Sequence, residues 1–310
     1  MAVGPKSGPI NRSRQALPTK GRRNKMEDRF SVKENIGRTG ISMYAVFDGH
    51  GGDYAVNYVL RNLVEMLCQR IEDRIGVINT PTEEATVSVV RRLSMLLKDE
   101  VLAVDERLIR QLQRIESMSD RPENRAYYPS PLDHPTLSDY PASSKCPTFS
   151  SDDLALLSNG PTCSNRSKRS NRSGRKYFVE PAMQGTTALI ALLYRGYLVV
   201  ANTGDTRGIM CCGTDGSVVP LSFDHKPQQL KERTRIEKAG GQVIFLGVWR
   251  VMGVLATSRA LGDYPLKKDA KLVIPDPDVL IFDLRDFKPT FLCLASDGLW
   301  DAFTNDDAKN

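Results

Sequence analysis

Acidic residues beside glycines or turns recur along this chain: Glu27-Asp28, Asp48-Gly49, Gly204-Asp205, Gly262-Asp263, Asp297-Gly298 and Asp301. Asp48 and Asp297 stand out. Each follows a strongly apolar run, Tyr44–Phe47 and Phe291–Ser296, and each precedes glycine, so that a strand would deliver an acid to a tight turn. A carboxylate in such a place is half-buried, and its desolvation has to be offset. Hard divalent cations do this well, because Mg²⁺ and Mn²⁺ favour oxygen ligands and keep some of their waters. Taken singly, the other acids read first as turn or cap residues, since Asp side chains bond the local backbone. Zinc is a poor candidate: six cysteines at 68, 146, 163, 211, 212 and 293 form no CxxC pair, and there are three histidines.

The elements that must hold these acids can be read from periodicity. Residues 41–47 form a buried strand that ends at Asp48. From Asp53 the period changes, with Val56, Leu60, Leu63, Leu67 and Ile71 on one helical face. A longer helix opens at Pro81-Thr82 and carries Val87, Val90, Leu93, Leu97, Val101, Val104, Leu108 and Leu112. Short strands are expected at Thr186–Leu193, Tyr197–Ala201, Thr206–Cys211, Lys271–Ile274, Val279–Asp283 and Thr290–Ser296, with a helix over 228–239 stopped by Gly240-Gly241. Strands and helices come in blocks rather than in βαβ alternation, which points to an α+β fold with mainly antiparallel sheets.

Composition sets the outer bounds. The 310 residues carry a net charge of +6, concentrated in residues 1–29 and 166–176. Basic runs of this kind read first as solvated segments, and no nucleic-acid partner is expected. Residues 1–20 read as a disordered basic tail, and 21–310 as one domain interrupted by a flexible insertion at about 115–178, rich first in Pro and then in Ser and Arg. No apolar stretch follows the basic N-terminus, and no run of about 18 apolar residues occurs. A reducing cytoplasmic or nuclear setting with free thiols is the expectation, a membrane tether being conceivable only on a longer isoform.

Eight stretches resemble, in order, the motifs of the PP2C (PPM) family of metal-dependent serine/threonine protein phosphatases. They are Arg23–Asp28 (RxxMED), Val46–Gly52 (DGHGG), Gly185–Ala188 (GTTA), Asn202–Arg207 (N-x-GDSR, with Thr206 for Ser), Asp224–Pro227 (DHKP), Glu232-Arg233 with Ala239–Gly241, Leu255–Asp263 (LAxSRALGD) and Ala295–Asp301 (SDGLWD). Gly21–Phe30, Ala260–Lys267 and Ile274–Asp278 are closest to the protein phosphatase 1-like branch. The resemblance implies a sandwich of two antiparallel β-sheets flanked by helices, with two Mg²⁺ or Mn²⁺ ions at one end and a weaker third. Asp48 would bridge the two ions. Glu27 and the Gly49 carbonyl would serve one, directly or through water, Asp297 the other, and Asp205 and Asp301 would line the third; Asp28 is a further implied metal residue. Arg23 would hold the substrate phosphate, and His50 would act as general acid. The implied reaction is hydrolysis of phosphoserine and phosphothreonine in phosphoprotein substrates by a metal-bridging hydroxide, in a monomeric enzyme. His225 reads as structural, Asp263 as a residue that caps or orients its loop, and Thr187 as a strand residue packed near the site.

Two departures are visible. The family's final Asp-Asn motif, which supplies a further metal ligand, does not follow Asp301, and the first strand expected before Gly21 is not recognisable. The chain therefore reads as C-terminally truncated, with an exposed apolar face expected where a central strand is missing. This opens a second reading, a non-catalytic isoform that binds phosphoproteins without turning them over. A third, a cysteine phosphatase, rests on the C-x5-R spacings of Cys68 with Arg74 and Cys163 with Arg169. Neither cysteine precedes a Gly-containing phosphate loop, so both spacings read as coincidence.

Overall fold

The computed structural model describes residues 26–76, 82–119, 181–213 and 215–309. The chain divides into two units, residues 1–117 with 179–310, and residues 118–178. Apart from the last two residues of a helix, the second unit lies outside the described residues, as do the expected basic tail at 1–20 and Arg23.

In chain order the strands are β1 (Arg29–Lys33), β2 (Ser42–Phe47), β3 (Gly49–His50), β4 (Gly185–Thr186), β5 (Ala188–Tyr194), β6 (Tyr197–Thr203), β7 (Arg207–Cys212), β8 (Val218–Pro220), β9 (Val243–Leu246), β10 (Val248–Val251), β11 (Leu261–Gly262), β12 (Asp278–Asp283) and β13 (Pro289–Ala295). The helices are α1 (Asp53–Ile75), α2 (Glu83–Ser119), α3 (Leu230–Lys238), α4 (Leu284–Phe287) and α5 (Asp297–Trp300). A five-stranded sheet runs β1-β2-β5-β6-β12, and a three-stranded one runs β13-β7-β8. A small sheet, β11-β4-β3, and the β9–β10 hairpin complete the set. Every pairing of these strands is antiparallel, as expected for the α+β class.

Strand β5 shows how the layers form. Side chains alternate across a strand, so Ala188, Ile190, Leu192 and Tyr194 join Met43, Ala45 and Phe47 in a core shared with α1 and α2. The intervening Leu189 and Ala191 face the other way, where Met210 and Leu221, with partly buried Leu292 and Leu294, fill the space between the two sheets. The helical faces read from sequence are the buried ones: Val56, Leu63, Leu67 and Ile71 of α1, and Val90 through Leu112 of α2. Helix α2 runs to Ser119, four residues past the expected start of the insertion.

Three expectations need correction or addition. Residues 271–274 are not a strand. Val273 is buried in a satellite core with Ile236, Val251, Ala260 and Leu266, which gives the segment its apolar look. Its backbone closes on Leu266 instead of a sheet, apart from one isolated bridge between Ile274 and Arg259. The β9–β10 hairpin was not foreseen, and it leaves Phe245, Leu246 and Val248 exposed. Strand β13 lies at the edge of its sheet, and Phe291 on it is 38% exposed.

Candidate active site

Asp48 sits at the end of β2, one residue before β3. Its backbone is clamped by the Gly-Thr-Thr turn across from it. The Asp48 N–H donates to Thr187 Oγ1 at 3.0 Å. The Asp48 carbonyl accepts from the Thr187 N–H at 2.9 Å and from Thr186 Oγ1 at 3.1 Å. Thr187, which the strand pattern alone would explain, therefore fixes the principal acid of the site. Gly49 is required by space: a Cβ there would overlap the Glu27 carbonyl and Val56.

Four carboxylates act on one another around Asp48. Burial, then the charges of Asp297, Asp28 and Asp205, push the Asp48 carboxyl up to about 8, with Asp297 in hydrogen-bonding reach. Asp297 opens α5 directly after Ser296, and Ser296 Oγ donates to Asp28 Oδ2 at 2.7 Å. That bond ties the residue before β1 to the turn after β13, so two distant parts of the chain meet at Asp48. Asp205 is buried, and its charge is answered by Lys226 Nζ at 2.6 Å. Burial raises the Asp205 pKa, with the Lys226 charge and hydrogen bond working against it. Glu27 is half-buried, while Asp301 is exposed at the end of α5.

Among the described residues, no three His, Cys, Asp or Glu side chains are drawn together closely enough to cage an ion. The donor set nevertheless suits a hard cation. Mg²⁺ commonly takes only one or two carboxylates and keeps its waters, and the Asp48–Asp297 pair offers oxygen donors alone, with the like charges of Asp28 and Asp205 close by. Like charges held close together raise a carboxylate's pKa, as Asp297, Asp28 and Asp205 do for Asp48.

His50 ends β3. Its Nε2 lies 2.8 Å and 3.0 Å from the two carboxylate oxygens of Asp263, a residue that is 1% exposed. Burial works against a charged ring, but Asp263, then Asp48 and Asp205, outweigh it and hold His50 above its ordinary pKa. Gly185 passes beside this pair, and a Cβ on it would overlap both side chains. Asp263 makes no side-chain cap of its turn. Its role beside His50 was missed from sequence; the signal available was an acid at the end of an apolar motif with glycine before it.

Other motif residues are structural. His225 accepts from the Gly204 N–H at Nδ1 and meets Asp278 at Nε2, at 3.0 Å and 3.1 Å. Arg259 is buried against Glu232 and reaches Asp278. Cys68 lies within α1, and burial raises its pKa, the opposite of what a nucleophilic thiol needs. Cys163 and Arg23 lie outside the described residues.

Comparison with known proteins gives the family of the chain. The family model for Protein phosphatase 2C matches residues 141–309. A bovine (Bos taurus) relative, Protein phosphatase 1L, is 38% identical over 289 residues, 93% of this chain and 59% of its own length. "Probable protein phosphatase 2C 59" of rice (Oryza sativa subsp. japonica) is 32% identical, over 93% of this chain and 62% of its own. The solved serine-threonine phosphatase 2C of Toxoplasma gondii shares the fold, with a TM-score of 0.63 at 20% identity, over 92% of this chain and 78% of that one. The chain belongs to the protein phosphatase 2C family. It is similar to the 1L relative over nearly all of its length, and spans about three-fifths of the curated relatives it matches. Among the described residues, no helix is long and apolar enough to cross a membrane.

Proposed function

We propose that this chain hydrolyses phosphoserine and phosphothreonine monoesters on proteins in a reaction that depends on Mg²⁺ or Mn²⁺. The family is metal-dependent, and the observation that carries the reading is the meeting of Asp48, Asp297, Asp28 and Asp205 at the ends of β2 and β13. Asp48 and Asp297 would be the principal ligands, with Glu27, Asp28 and the Gly49 carbonyl beside them. Asp205 and Asp301 would line a third, weaker position, and Lys226 would have to yield Asp205 before an ion could take it. When bound, two such cations polarise a phosphoryl group and lower the pKa of the attacking water.

The chain's own residues do the rest. Arg23, assigned from its motif, would hold the phosphate, because a guanidinium donates two parallel hydrogen bonds to it. His50 carries a proton toward the departing alkoxide, a poor leaving group that needs one. The Asp263 carboxylate against Nε2 favours the charged ring. The thiol reading loses its support, since Cys68 is half-buried within a helix and burial raises its pKa.

The test is phosphate release from a phosphothreonine peptide by the full chain with Mn²⁺, beside Asp48→Asn. Turnover in the wild type and a loss of about 10³-fold or more in the variant are expected. Peptide and Mn²⁺ binding without turnover in a folded protein would establish the binding-module reading instead.

A further inference from the structure

The phosphatase reading leaves unexplained a buried ion pair that lies outside the acidic cluster. Asp105, near the middle of α2, is 5% exposed, and the Lys267 side chain is 7% exposed. Asp105 Oδ1 accepts from Lys267 Nζ at 2.7 Å and from the Gly262 N–H at 2.8 Å. Lys267 Nζ also donates to the Ala260 carbonyl at 2.8 Å. One residue on, Lys268 reaches Glu116 of the same helix at 3.0 Å. The two bridges and the Gly262 amide thus fasten the segment Ala260–Lys268 to α2, and Asp263 lies between Gly262 and the bridged lysines.

Burying both members of an ion pair is a poor way to gain stability, since apolar residues of similar volume do as well or better. What the pair supplies is direction. It holds one backbone amide, that of Gly262, immediately before Asp263. Asp263 itself has φ +53°, a left-handed conformation that is strained for a non-glycine residue and persists only where the surroundings enforce it. Its N–H donates to the Gln184 carbonyl at 2.9 Å, next to the glycine that clears room for the His50–Asp263 contact. Strands β11, β4 and β3 then carry the geometry across to His50.

We propose that Asp105, through Gly262 and Lys267, is a positioning residue for proton delivery: it fixes the loop from which Asp263 holds Nε2 of His50, leaving Nδ1 as the nitrogen that protonates the leaving group. The proposal rests on the phosphatase reading. In the step concerned, the bond from phosphorus to the threonine Oγ breaks and its electron pair stays on Oγ, which takes the proton from Nδ1. Water supplies the new bond to phosphorus, and a proton from it restores His50, giving the alcohol and inorganic phosphate.

A leaving group that needs no proton separates this role from general support of the fold. The wild-type chain, Asp263→Asn, Asp105→Asn and Lys267→Met are assayed at saturating Mn²⁺ on a phosphothreonine peptide and on p-nitrophenyl phosphate. Thermal melts establish which variants fold. For the peptide, kcat is expected to fall about 10²-fold in Asp263→Asn, at the lower end of what general acids contribute, and roughly tenfold in the other two through misplacement. KM should hold, and kcat for p-nitrophenyl phosphate should fall less than about threefold, because its phenolate departs without a proton. Equal losses on the two substrates, or no loss, in a folded Asp105→Asn would overturn the proposal and leave the phosphatase reading intact. If that variant does not fold, Lys267→Met decides by the same comparison. Failure of both to fold would make the pair an element of the fold and overturn the proposal. No turnover of either substrate by the wild type would overturn both readings.

Discussion

Asp48 is an acid placed where its charge is unwelcome, and that gives it a pH signature. Burial and the neighbouring Asp297, Asp28 and Asp205 raise it from 3.8 to about 8. Across that window the folded chain, free of cation, keeps a proton that the unfolded chain has lost. Stability should therefore fall as pH rises from about 4 to about 8. Thermal melts of chelator-treated protein over this range should show the decline, Asp48→Asn should flatten it, and Mn²⁺ should reverse it at the alkaline end by displacing the proton. Gly185 is the second informative residue. Gly185→Ala puts a methyl where the His50–Asp263 pair lies, so a loss of about 1–3 kcal/mol in urea unfolding is expected. The placement of Asp48 at a strand end with His50 two residues on was legible from their motif, but the pairing of His50 with Asp263 and of Asp205 with Lys226 was not. Which acid pairs with which base is decided by contacts across as many as 213 residues of sequence, and no local pattern encodes them.

Among the elements, α3 and the Thr257–Ala260 segment show how a motif that looks catalytic can instead be architectural. Glu232 is buried, which pushes its pKa up, yet hydrogen bonds and charges from Arg259 and Arg235 overcome this and hold it at about 2. A carboxyl lowered on folding contributes stability above its ordinary value of 4.5 and loses it as pH falls toward about 2. Glu232→Gln should blunt the acid limb of the stability profile over that interval. Arg259→Met would leave the Glu232 charge buried without its main partner, at a cost of about 3–5 kcal/mol. Urea midpoints measured near neutral pH check that value. Helices α1 and α2 were readable because each buries a long apolar face at helical spacing. The β9–β10 hairpin was not, because four of its apolar side chains, Ile244, Phe245, Leu246 and Val248, are exposed and follow no two-residue burial period. Residues 271–274 failed for the converse reason, an apolar stretch buried in a loop.

At the scale of the molecule, the site exists because two sheets end at the same place. The five-stranded sheet delivers Asp48 from β2, the three-stranded sheet delivers Asp297 from β13, and the bond from Ser296 to Asp28 joins the two ends. The sandwich was legible through the order of its motifs, and its layers through the alternation of β5, whereas strand order within each sheet needed the structure. If these carboxylates hold the catalytic ions, the cation is indispensable and the thiols are irrelevant. The most direct test is phosphate release from a phosphothreonine peptide by the wild type with Mn²⁺, after chelation, and after Mn²⁺ is returned, with Cys68→Ser run alongside. Loss on chelation, recovery on return of the metal and an unchanged Cys68→Ser are predicted. Turnover that survives chelation, or that disappears with Cys68, would contradict the account.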